Sequence, residues 1–265
     1  MDEAHRLDLT HPGLNSWRDG VQAVEADRAK GLSMPTALNR LAASLPIARD
    51  RLPRFVAQSE LPDGVAYEAF VHDQRAVPTR ENWHDGFNAL CWMRLPELKW
   101  HFNRLQAEAL MRNGVQAQRG PVRDALTVLD ENGMCLQISD EVWAAIRAHD
   151  WTRAFVDLRS HWAQARWVIM GHALLDNLTR PFKGITAHVM HWPTEWGDDE
   201  DRLAKEMVNR LSAEALMAKP FTPLPVMGIP NWMPGQGERA FYADERVFRK
   251  KKSSTNPVNK RDILL

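Results

Sequence analysis

Residues 120–139 read G-P-V-R-D-A-L-T-V-L-D-E-N-G-M-C-L-Q-I-S, and the class of the protein turns on how they fold. Two apolar runs, A-L-T-V-L and M-C-L-Q-I, flank the tetrad Asp130, Glu131, Asn132 and Gly133. Residues of that type supply turn geometry, so the pattern predicts a hairpin with Asp130 and Glu131 at its tip. Arg123 and Asp124 then precede the first strand. Asp124 and Thr127, three apart on an extended chain, fall on opposite faces.

Working upstream, R-F-V-A-Q, a Pro62-Asp63-Gly64 turn and V-A-Y-E-A-F-V-H-D predict strand, loop and strand. Ser16 is placed to cap a helix reaching about Lys30, with Gly31 as its stop. A second helix follows Pro35 with Leu38, Leu41 and Leu45 on one face. Pro78 and Thr79 open a third, capped by Thr79 and ended by Pro96, and a fourth covers 97–113. Downstream, Asp140 caps a helix bearing Val142, Trp143 and Ile146. Further helices are expected over 152–158, 160–178 and 199–218, whereas 185–192 suits helix or strand. The expected class is α+β: a mostly helical single domain, residues 1–249, with a small antiparallel sheet of hairpins. Prolines at 220, 223, 225, 230 and 234 forbid a helix there, yet Phe221, Leu224, Ile229 and Trp232 are too apolar for a linker. Residues 220–249 should therefore lie across the domain as an extended strap, followed by a flexible tail over 250–265.

Composition narrows the function. With 34 basic and 34 acidic side chains the net charge is zero, which argues against nucleic acid as a partner. Cys91 and Cys135 form no C-x-x-C pair and read as small buried hydrophobes. The start, M-D-E-A-H-R-L-D-L, is acidic and lacks the apolar run of a secretory signal. No stretch approaches the roughly eighteen apolar residues of a membrane span. A cytoplasmic protein without membrane attachment is expected.

Chemistry concentrates in V-P-T-R-E-N-W-H-D-G-F-N-A-L-C-W, residues 77–92. His84 and Asn88 share a helix face, whereas Asp85 points roughly 100° away from His84. Trp83, Phe87 and Leu90 mark the neighbouring buried face. His172, in R-W-V-I-M-G-H-A-L-L-D, sits among apolar residues beside Gly171, which permits close approach of another backbone. His188 and His191 form H-x-x-H without the glutamate of H-E-x-x-H. Walker, G-x-G-x-x-G, G-x-S-x-G and zinc-ribbon patterns are all absent.

Taken together, V-P-T-R-E-N-W-H-D-G-F-N-A-L-C-W, L-P-E-L-K (95–99), G-P-V-R-D-A-L-T-V-L-D-E-N-G (120–133), G-H-A-L-L-D (171–176), G-I-T-A-H (184–188), P-L-P-V-M-G-I-P-N-W (223–232) and F-Y-A-D-E-R-V-F-R (241–249) carry a resemblance. The chain resembles a bacterial family known only as domain of unknown function 3025. Leu95, Asp176 and Asn231 stand where that family usually has Phe, Glu and Gly. The resemblance implies no reaction, but it implies that the W-H-D-x-F-N helix, the R-D-A-L-T segment and the G-H-A-L helix belong together.

Two readings stay open. In the first, the chain is a hydrolase whose pocket uses His84, Asp85, Asp124 and His172 as catalytic groups. Asn88, Arg123, Trp83 and His188 would then contact a small-molecule or peptide ligand. A divalent metal suits mixed His/Asp ligands, though the sequence fixes neither its presence nor its identity. In the second, the same groups form a structural hydrogen-bond network in a non-enzymatic ligand- or protein-binding module.

Overall fold

The computed structural model describes residues 7–113, 120–193 and 199–251. Its class is α+β, with helices outnumbering strands. A 3-10 turn (Pro12–Trp17) leads into α1 (Arg18–Ala29), which ends at Gly31 with a φ of 88°. That left-handed geometry is why glycine terminates the helix. Helix α2 (Met34–Ser44) follows, with the Ser33 side chain accepting from the Thr36 N–H.

The next segment departs from expectation. Strand β1 (Arg54–Ala57) is present, but V-A-Y-E-A-F-V-H-D folds mainly as helix α3 (Tyr67–Gln74). Strand β2 is instead Ala76–Thr79, pairing parallel with β1. Parallel strands need a crossover, and α3 supplies it. Pro78 and Thr79 thus lie in a strand. The cap of α4 (Trp83–Arg94) is Asn82, whose side chain accepts from the Asp85 N–H at 2.9 Å. Pro96 opens α5 (Pro96–Asn113) directly.

The stretch 120–139 is no hairpin. Residues 121–132 form α6 (Pro121–Asn132), and the strand β3 (Gly133–Gln137) begins where the turn was expected. Pro121 occupies the first turn, where its missing N–H costs nothing. Ala125, Leu126 and Leu129 make one buried face. After α7 (Asp140–Ala148) come a short π turn (Arg153–Asp157) and a 3-10 turn (Arg159–Gln164). The helix expected over 160–178 divides into β4 (Arg166–Ile169) and α8 (His172–Leu178). Residues 186–192 resolve as β5 (Thr186–Trp192). The expected helix over 199–218 breaks at Leu211 into α9 (Glu200–Arg210) and α10 (Ala213–Met217), the second capped by Ser212. The proline-rich stretch gives β6 (Thr222–Pro225) and short turns. Residues 252–265 of the expected tail lie outside the described residues, as do 1–6.

The main sheet has the order β4-β3-β5-β6 and is mixed, with β3 parallel to β5 and the outer pairs antiparallel. This corrects the expected antiparallel sheet of hairpins. Alternate β3 residues enter different clusters: Met134 and Leu136 pack with α1, α2, α4 and α8, Cys135 with α5, α6 and α9. A strand covered on both faces reads as a continuous apolar run rather than an alternating one. No helix among the described residues is long and apolar enough to cross a membrane.

Two glycines set the distance between α6 and α8. The Gly133 carbonyl accepts from the Met170 N–H at 3.0 Å and the Gly171 N–H at 2.9 Å. A Cβ on Gly171 would lie 2.5 Å from both the Glu131 carbonyl oxygen and the Gly133 nitrogen. Only glycine admits this crossing. It brings the end of α6 against the start of α8.

Candidate functional site

A cavity of about 570 Å³ opens between α3, α4, α6 and α8, lined by side chains that include Tyr67, Glu68, Arg80, His84, Arg123 and His172. His84 lies in the first turn of α4 and His172 is the first residue of α8. Their Nε2 atoms face each other at 3.1 Å, with the rings edge to face and centroids 4.6 Å apart. A Glu131 Oε2 oxygen stands 3.5 Å from the same His172 Nε2. One atom from each of His84, Glu131 and His172 lies within 4.8 Å of the other two.

Acidic groups stand behind both imidazoles. The Asp130 Oδ2 is 3.7 Å from His172 Nδ1, and the Asp176 Oδ2 is 3.9 Å from His84 Nδ1. Both contacts are longer than a hydrogen bond, and the buried His172 Nδ1 has no hydrogen-bond partner, so the acids act on the rings through charge. His172 is 5% exposed. Burial pulls its pKa down to about 4, outweighing the nearby Asp130, so the ring is neutral at physiological pH. Neutral imidazole is the ligand form.

Asp130 is held in turn by Lys99 of α5, which is 4% exposed. The Lys99 ammonium donates to Asp130 and, at 2.8 Å, to Asn88 Oδ1. Burial pushes the Asp130 carboxyl up, but Lys99 and His172 together hold it below the usual carboxylate range. Asn88 passes the network on, donating to the Tyr67 hydroxyl at 3.2 Å. Burial, reinforced by Asp130, raises the Tyr67 pKa and keeps the phenol protonated.

Of the residues singled out from sequence, His84, His172, Asn88, Asp85 and Arg123 line this cavity. Asp85 is there as a partner: its carboxylate accepts from Arg80 N, Nε and Nη2 at 2.7, 3.1 and 2.8 Å. Arg123 donates to Glu68 Oε1 at 3.2 Å.

Three expected residues lie elsewhere. Asp124 is exposed on the first turn of α6, 3.8 Å from Lys219, because a helix rather than a strand carries it. Trp83 packs on Phe87, with ring centroids 5.8 Å apart. His188, on β5, meets the Phe221 ring edge to face at 5.3 Å.

Glu131 and Asp130, expected as turn residues, belong to the site. Tyr67, Glu68 and Lys99 carried no sequence signal that singled them out, and Asp176 was marked only as standing where the family usually has Glu. For the acids a signal existed: Arg123, Thr127, Asp130 and Glu131 recur at spacings of three and four, the polar stripe of a helix opened by Pro121.

No curated protein matches the chain, and no solved structure matches it. The family model described as "Protein of unknown function (DUF3025)" matches residues 53–252, a span that contains every residue of the cavity named above. That match covers well over half of the 265 residues, and the chain belongs to this family.

Proposed function

We propose that His84, His172 and Glu131 hold a divalent metal and that the cavity in front of them performs metal-assisted hydrolysis on a polar small molecule. One observation carries this reading: the two Nε2 atoms approach to 3.1 Å with a carboxylate oxygen beside them. Two converging imidazole nitrogens beside a carboxylate oxygen are a donor set that a divalent metal such as zinc would take. Three protein ligands leave further positions open, as hydrolytic centres require.

When bound, the metal supplies a Lewis acid that acidifies a coordinated water. The chain's own residues do the rest. His172 presents a neutral nitrogen, Asp130 and Asp176 stand 3.7 and 3.9 Å behind the two rings, and Lys99 keeps Asp130 charged. Tyr67 offers a protonated hydroxyl to the cavity. A volume of about 570 Å³ suits a metabolite-sized ligand rather than a macromolecular groove. The structural-network reading describes Asp85 and Arg80 well, since each satisfies the other. On that reading the His84–His172 contact at 3.1 Å is an N–H···N hydrogen bond between the rings, and on ours it is a pair of converging ligand nitrogens.

The test is metal content. Full-length protein, stripped of metal and dialysed against zinc or manganese, should retain one equivalent by elemental analysis. His84→Ala and Glu131→Gln should each lower the affinity at least tenfold while circular dichroism stays unchanged. Folded wild-type protein that retains no metal above the variants would sink the proposal.

A further inference from the structure

The wall around the candidate centre balances its charges pair by pair. Arg80 is taken by Asp85, Lys99 by Asp130 and Arg123 by Glu68. Glu131 offsets one positive charge of a divalent ion held by His84, His172 and Glu131. Asp176, 3.9 Å from His84 Nδ1, offsets the second, so the choice of ligand falls to the cavity's individual donors rather than to its net charge.

The two arginines differ in how fully they are used. Arg80 grips Asp85 with Nε and Nη2 together, at 3.1 and 2.8 Å, one oxygen to each nitrogen. Arg123 reaches Glu68 through Nη2 alone, which donates to Oε1 at 3.2 Å. Its Nε–H is buried without an acceptor. A donor left so costs free energy that a second oxygen would recover. Side-on, two-bond pairing is the strong form of the arginine–carboxylate contact, and the Glu68 pair stops halfway to it.

Tyr67 and Gln106 line the same cavity as this unfinished fork. The Tyr67 oxygen accepts from Asn88, so its O–H is directed elsewhere as a donor.

We propose that the cavity binds a small molecule bearing a carboxylate, that Arg123 clamps this group side-on, and that Glu68 is the internal carboxylate it displaces. The inference deepens the hydrolase reading, and it rests on that reading only for placing a ligand in this cavity. The clamp itself rests on the Arg123–Glu68 geometry. Glu68 then acts as a specificity residue: it keeps the guanidinium oriented between ligands and yields to a carboxylate that fills both donors.

Succinate is a suitable probe, titrated calorimetrically into full-length metal-loaded protein and into metal-stripped protein. Arg123→Gln should weaken succinate binding by about tenfold or more, since a charged two-bond contact is lost. Glu68→Gln should tighten it severalfold, because the competing carboxylate has lost its charge. Metal content should be the same in both variants as in wild type. Arg123→Lys keeps the charge without the fork, and should lose most of the affinity with the fold intact. Succinate binding that is unmoved by Arg123→Gln and Arg123→Lys, or weakened by Glu68→Gln in folded protein, overturns the proposal. Arg123-dependent binding in a chain that takes up no metal would support the clamp while removing the metal centre, so the two failures are separable.

Discussion

Lys99→Met removes the cation beneath Asp130 while keeping most of the side-chain volume. The substitution deletes the donor to Asn88 Oδ1 at 2.8 Å and the ion pair to Asp130. Met fills the stem's place near the Trp92 ring, which lies 5.5 Å from the ammonium. What remains is a carboxylate that burial pushes toward protonation, with only the neighbouring imidazoles to oppose it. Breaking a buried pair from one side costs about 3–5 kcal/mol. Asp130 keeps 23% of its side chain exposed toward the cavity, so water softens the penalty and the low end, about 3 kcal/mol, applies. At roughly 2.1 cal/mol/K of unfolding entropy per residue, 265 residues convert this into a fall of about 5 °C in melting temperature. The assay is thermal and urea unfolding of metal-stripped protein, which removes any contribution from ligand linkage. Adding Asp130→Asn to Lys99→Met should restore a good part of the loss, because no buried charge is then stranded. A single variant that melts within a degree of wild type refutes the argument. So does a double variant no more stable than the single one.

Three other outcomes follow from particular contacts. Gly171→Ala forces a Cβ to within 2.5 Å of the Glu131 carbonyl. It should cost about 1–3 kcal/mol and lower metal uptake together, whereas Gly237→Ala, with open space around it, should change neither. Asn231 has a φ of 68°, so Asn231→Gly should match or exceed wild-type stability and Asn231→Val should lose at least about 1 kcal/mol in urea unfolding. Stability should also fall on acidification below neutral pH, through His11 and His101. Each donates from Nε2 to a carbonyl (Trp232 and Leu211) and accepts at Nδ1 from Gly13 N or Arg104 Nη2, so a second proton would set donor against donor. Burial lowers both pKa values below the unfolded value, so the unfolded chain binds more protons. Their contribution is complete above the unfolded pKa of about 6.5 and erodes as pH drops below it. A urea midpoint that is flat or rising between pH 7.5 and pH 5 contradicts this.

How much of this was legible in the chain depends on how local the deciding interaction is. Helix boundaries written by one residue were readable: Gly31 ends α1 because a positive φ is needed there, and Pro96 separates α4 from α5. Asn231 standing where the family usually has Gly made sense once its left-handed φ was seen. The placing of His84 and Asn88 on one face of α4, with Asp85 turned away, also follows from the helical period alone. The strands were less legible. R-W-V-I continues the apolar pattern of its flanks, and only pairing with β3 makes it extended. V-A-Y-E-A-F-V reads as β by residue type, yet its Tyr67, Glu68 and Val71 belong to the crossover helix that two parallel strands demand.

The hairpin reading of 120–139 concealed the site, and the reason is physical. Thr127 and Val128 favour strands, and D-E-N-G favours turns, but both are weak preferences that packing overrides. Ala125, Leu126 and Leu129 have a hydrophobic cluster to enter, and only a helix points them into it together. That same helix turns Arg123, Thr127, Asp130 and Glu131 toward the cavity. The three proposed ligands, His84, Glu131 and His172, sit more than forty residues apart in sequence, so no short motif can record them. Their meeting depends on a backbone crossing at Gly133 and Gly171, where neither chain tolerates a side chain. Gly171 beside His172 was thus a sequence clue to the site's geometry. It marks where α8 must touch α6, and the carboxylate of Glu131 is what α6 carries to that contact.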